Sequence, residues 1–201
     1  KNAFQLRSPD ALTGANVTLF VLIIMSALMG ILNSYREICK EREILSREVF
    51  GGLDITAYVL SKFTVLSVIG IVQCAVLFGG TLLFIDFAFP VPATGYICAY
   101  AAMALTNISV MTVGLFISAL LKKSESAILP VLFIIIVQVV FCDSLFSLEG
   151  SAAWLRYVTP SAWGIAVFSH ECGLNDWAPQ IFHKSMFDLN PLIGLGVLAA
   201  I

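Results

Sequence analysis

The chain has 201 residues, 59% hydrophobic and 12% charged, with a formal net charge of -2 and a mean hydropathy of +0.96. That charged fraction is about half of what an ordinary soluble domain carries, and a soluble fold of this composition would have too little polar surface to cover its core. A soluble globular domain is therefore excluded, the overall charge favours no particular partner, and no nucleic-acid partner is expected.

Residue 1 is Lys and no signal-peptide pattern opens the chain, so the sequence reads as a fragment of a longer membrane protein. A bilayer core of roughly 30 Å needs about 20 apolar residues in a helix. The first charge-free run, 17–35, meets that length and predicts a spanning helix. Ser26 and Asn33 are among its polar residues, and an uncharged polar side chain in hydrocarbon must face protein or a cavity.

The stretch REICKEREILSREVFGG, 36–52, follows at once. Spacing pairs Glu37 with Lys40 at i+3 and Glu43 with Arg47 at i+4, so the helix leaving the membrane is expected to continue into water. Gly51 and Gly52 then break it, since glycine costs roughly 1 kcal/mol in a helix interior and permits a sharp turn. Asp54 is placed to cap the next helix, ITAYVLSKF, which leads through Lys62 into a second span over 63–85. Four acids stand among the basic residues of this patch, which retention of positive charge at the membrane surface does not require. Exposed mixed charge on a short ordered helix suits a protein partner better than lipid headgroups.

Two further charge-free runs, 96–121 and 126–142, predict spans over 96–121 and about 126–146, with Pro130 tolerated near the start of the second. Gly114 and Ser118 are small residues four apart, which allows close helix packing, expected within one subunit. Seven of the eleven Lys and Arg residues fall between the first and second spans or between the third and fourth: Arg36, Lys40, Arg42, Arg47, Lys62, Lys122 and Lys123. By the positive-inside rule those loops are cytosolic, and 147–189, poor in basic residues, is external. There WLRYVTPSAWGIAVFSH is too short, and too interrupted by Pro160, to cross; it reads as a re-entrant or surface-lying element. His170, Glu171 and Cys172 lack the second histidine of an H-E-x-x-H zinc site, since position 174 is Leu; no metal is expected. Cys142 and Cys172 share the external side, where a disulfide is chemically permitted. The final residues, 190–201, begin a further span.

KEREILSRE, two glycines and ITAYVLSK together resemble the segment after the second membrane helix of ABCG-type (white / pleiotropic-drug-resistance) ABC transporters and of related bacterial exporters with a fused ATPase. SLEGSAAWLRYVTPSAWGIAVFSHECG resembles the external segment that follows the fifth helix of that family. The resemblance implies an all-α polytopic membrane protein, a fragment of an ABCG-type transmembrane domain with a cytosolic coupling helix over 36–62 and an external re-entrant element. It assigns contact with a nucleotide-binding domain, fused or separate, to Glu41, Arg47, Glu48, Gly51, Tyr58 and Lys62. It places Ser26, Met29, Asn33, Ile136 and Val140 around a substrate cavity shared with a second membrane domain, as homo- or heterodimer, and makes Leu145 and Phe146 its external gate.

No G-x-x-x-x-G-K-[ST] phosphate loop occurs, so ATP and Mg are expected only at a nucleotide-binding domain outside this sequence. The expected function is the permease part of an ATP-driven exporter in the plasma membrane, moving a lipid-like or amphipathic drug-like substrate. A membrane-embedded transferase is the alternative, and needs clustered catalytic acids, histidines or metal ligands at one membrane face. Ionisable groups inside the spans would mark a proton-coupled transporter or channel; the four charge-free runs contain no Asp, Glu, His, Lys or Arg.

Overall fold

The computed structural model describes residues 4, 9–87, 89–121, 124–142, 150–176 and 185–201. Among the described residues these α-helices run in order: α1 Pro9–Ser34, α2 Glu37–Phe50, α3 Ile55–Leu82, α4 Pro92–Leu120, α5 Ile128–Val140, α6 Pro160–Glu171 and α7 Pro191–Ala200. Short 3-10 turns stand at Ser124–Ala127, Gly150–Tyr157, Leu174–Asp176 and Ser185–Asp188, and there is no strand among the described residues. Pro9, Pro92, Pro160 and Pro191 each open a helix, where the missing N–H is not needed and the fixed φ is already helical. The Asp54 carboxylate accepts the Thr56 N–H at 2.8 Å and caps α3, and the Asn190 side chain caps α7 through Leu192 N–H at 3.0 Å.

Three stretches, Ala11–Phe50, Ile55–Leu82 and Pro92–Leu120, contain windows long and apolar enough to cross a membrane. The chain is thus an all-α membrane protein. Within the first stretch a turn at Tyr35 and Arg36 separates α1 from α2, where the sequence suggested an unbroken helix. The reason is an intruding acceptor: the N–H groups of Ile38 and Cys39 bond the Ser118 hydroxyl, each at 3.0 Å.

Helix α4 is the centre of the bundle, packed against α1, α3, α6 and α7. Close approach depends on glycine at the crossings. A Cβ on Gly30 would overlap the Asn107 carbonyl oxygen, one on Gly70 the Asn107 side-chain oxygen, and one on Gly164 the Thr106 hydroxyl. Asn107 also donates its amide to the Ser26 carbonyl at 2.8 Å, so α1 and α3 both meet α4 at this residue. Ser26 in turn donates to the Met103 carbonyl at 2.6 Å. With no water in a bilayer core, each such polar group must find its partner on a neighbouring helix.

The 13 residues of α5 span about 20 Å, less than a bilayer core. Its C-terminal end joins α6: Gln138 accepts the Ser161 N–H at 3.2 Å and the Ser161 hydroxyl at 2.6 Å, while Thr159 donates to the Phe141 carbonyl at 3.1 Å. From there α6 rises along α4 to the loop that joins α3 to α4, where the Phe168 ring lies 5.5 Å from that of Phe87. Its residues from Pro160 to Ser169 are buried. That burial sets the segment inside the bundle instead of along its surface. Cys142 and Cys172 are buried thiols, not a bridge.

Candidate functional site: the charged helix–turn–helix

Three of the six residues assigned to coupling come together between α2 and α3. Lys62 Nζ lies 2.7 Å from Glu41 Oε1, the Tyr58 hydroxyl donates to Glu41 Oε2 at 2.7 Å, and Lys62 reaches Glu37 at 3.4 Å. The Lys62 ammonium also stands 5.8 Å from the Tyr58 ring centroid, within range of a cation–π contact. Tyr58 and Lys62 are four apart on α3 and therefore share a face; the aromatic-x-x-x-K spacing presents both to Glu41. Lys40 closes on Glu37 at 2.6 Å as its spacing suggests. Glu43 and Arg47 do not pair, a correction to the i+4 reading: both are exposed, and on an exposed face such a pair gains too little to hold two long side chains in one geometry.

Gly51 ends α2, its N–H bonding the Arg47 carbonyl at 3.2 Å, and Gly52 takes φ +98°, a conformation open to glycine and costly for other residues. Leu53 N–H bonds back to the Glu48 carbonyl at 3.1 Å, so Arg47 and Glu48 serve the turn through their backbone. Their side chains are exposed. Beside them Phe50 is 91% exposed and Ile44 is exposed too. Apolar anchors bordered by charge form the composition of a docking surface, and sequence reasoning missed both. The signal was present in EILSREVF: apolar residues inside a patch too polar to enter a membrane.

Arg42 and Ser118 were also missed as partners. Arg42 donates to the carbonyls of Leu121 at 2.8 Å and Ala119 at 3.3 Å, at the end of α4. Gly114 and Ser118 both face into the bundle of this chain, Gly114 toward Ser34 and Ile31 of α1.

The residues assigned to a cavity are dispersed. Ser26 is fully buried and bonded to α4. Met29 lines an open, mostly apolar cleft of about 890 Å³ between α1 and α3. Asn33 donates to the side chain of Gln73, itself a lining residue of that cleft, at 2.7 Å. Ile136 is 59% exposed on α5 and Val140 half-buried near its end. Leu145 and Phe146, and also His183, lie outside the described residues.

Comparison with known proteins agrees with this architecture. The chain is 27% identical over 165 residues to an ABC transporter ATP-binding/permease protein of Mycobacterium tuberculosis, an alignment that covers 78% of this chain and 19% of that relative. The chain thus spans about a fifth of the length of the curated relative it matches. The family model for the ABC-2 family transporter protein matches residues 2–200. The chain belongs to the ABC-2 transporter family, as the membrane-embedded permease part of an ABC transporter.

Proposed function

We propose that the chain is the membrane half of an ATP-driven exporter of the ABCG type, coupled to its nucleotide-binding domain through residues 36–62. The observation that carries this reading is the docking surface: α2 and the Gly51–Gly52 turn stand outside the apolar windows and present Ile44, Phe50, Arg47 and Glu48, with the Glu41–Tyr58–Lys62 network bracing α2 against α3 behind them. ATP and Mg bind on that partner domain, which is fused to the permease in the mycobacterial relative, an ATP-binding/permease protein by name. The charged end faces the cytosol and the bilayer is the plasma membrane.

A second membrane domain, identical or related, completes the pathway. Leu129, Phe133 and Ile136 of α5 and Met25 and Leu32 of α1 leave large apolar side chains uncovered in the single chain, and pairing encloses a cavity between them. Met29, Asn33, Ile136 and Val140 contribute to its walls, with Leu145 and Phe146 at its outer end; Ser26 braces α1 behind it. Such an apolar lining with a few amides suits a lipid-like or amphipathic substrate.

The test is reconstitution of the membrane domain with its ATP-binding domain in inside-out vesicles, followed by ATP-dependent accumulation of a fluorescent phospholipid or an amphipathic dye. Accumulation that needs hydrolysable ATP, and that falls when Phe50→Ala and Glu48→Ala are combined, supports the reading. Unchanged accumulation in that variant removes the docking surface from the mechanism, and no ATP-dependent movement of either probe overturns the substrate class.

A further inference from the structure

We propose that Ser118 and Arg42 clamp the coupling helix to α4, and that α4 is the route by which movement of α2 enters the membrane bundle; the proposal rests on the coupling role given to α2 above. Covalent continuity offers α2 two other connections, and both are interrupted. Toward α1 the helix is broken at Tyr35 and Arg36, and toward α3 the chain turns through Gly51 and Gly52, with Gly52 at φ +98°. The Glu41–Lys62–Tyr58 contact to α3 is part-exposed. Against α4 the contact joins the start of α2 to the end of α4, buried at Ser118 and exposed at Arg42. The Ser118 hydroxyl is fully buried and accepts the two N–H groups at the start of α2, both at 3.0 Å. One turn further along α2, Arg42 donates to the final carbonyls of α4.

The chemistry is reciprocal. The first N–H groups of a helix and the last C=O groups of another have no partners within their own helices, and here two of each are bonded from the other helix. The positive end of the α2 dipole meets the negative end of the α4 dipole, and a cation sits where that negative end is exposed. Ile38 then packs with Leu66, Met111 and Leu115 to fill the space behind the bonds. Breaking the clamp on moving α2 would strand buried backbone donors, so α4 moves with it. Because α4 packs against α1, α3, α6 and α7, a shift of its end reaches every side of the bundle. Ser118 and Arg42 are positioning residues: they touch neither nucleotide nor cargo.

The experiment is amide hydrogen exchange on the complete transporter in nanodiscs, with its ATP-binding domain, comparing nucleotide-free and ATP–vanadate states. Wild type is expected to change protection in both α2 and the last two turns of α4. Arg42→Met and Ser118→Ala should keep the change in α2 and lose it in α4, and Arg42→Lys, which still donates to a carbonyl, should restore it. Arg42 is exposed, so its variants report even if Ser118→Ala does not fold. A purely structural role would raise exchange in α4 without nucleotide and leave the nucleotide-dependent difference intact, which would overturn the clamp as a route. A wild-type response in α2 but not α4 would overturn this proposal alone. No wild-type response in α2 would overturn the coupling reading and this proposal with it.

Discussion

At the level of single residues, the bundle is closed by atoms that are missing. Gly30 lies against the Asn107 backbone oxygen and Gly79 against nothing within 4 Å, although both are glycines in apolar helices. Gly30→Ala forces backbone apart and should cost about 1–3 kcal/mol. Gly79→Ala should be neutral or gain up to about 1 kcal/mol from helix propensity. Thermal unfolding of both variants in the same detergent measures the contrast; equal midpoints would mean that the α1–α4 crossing is looser than described. The Glu41 carboxylate offers a second comparison, because it holds a hydroxyl and an ammonium together. Tyr58→Phe should cost about 0.5–1.5 kcal/mol for the lost bond. Lys62→Met removes a partly exposed ion pair, for which the coupling with Glu41→Gln in a double-mutant cycle should stay below about 1 kcal/mol and shrink in high salt. A larger, salt-independent coupling would show the network to be shielded from water.

At the level of helices, α5 and α6 act as one broken element held by Gln138. Its side-chain oxygen receives both donors of Ser161 in a buried setting. Gln138→Leu removes the acceptor and should cost about 1–3 kcal/mol, with faster amide exchange confined to the first turn of α6; exchange spread evenly over α6 and α7 would point instead to global loosening. This break also marks where sequence reading stops. Charge-free length was enough to find α1, α3 and α4, and the glycine pair with Asp54 was enough to find the α2–α3 turn, because those signals are local. Nothing local distinguishes Val140 as the end of a helix inside an apolar run, since the cause is Ser161 and Thr159 arriving from about 20 residues away. Ser118 meets Ile38 across 80 residues of sequence, and Arg42 in the sequence is only another surface charge. Ser26 shows the same limit in a different form: a polar residue in a span must find a partner, but the face on which it finds one is set by the helix register, and here that face is turned to Met103.

At the level of the whole molecule, the distribution of charge makes a claim about sidedness that a single labelling experiment decides. The basic loops put Phe50 on the cytosolic side and the α3–α4 loop, with Val91 in it, on the other; both residues are well exposed. The five native cysteines are all buried, so a membrane-impermeant maleimide should find little to modify in the wild-type protein. Phe50→Cys should label in inside-out vesicles and not in intact cells, and Val91→Cys should show the opposite. The reverse pattern would invert the orientation and remove α2 from reach of any cytosolic ATPase. Labelling of both from one side would mean that α3 does not cross the membrane, despite 28 helical residues that contain an apolar window long enough to do so. The expected pattern instead places Phe50, Arg47 and Glu48 where an ATP-binding domain can press on one end of α2, and the buried contact with α4 at the other end of the same helix.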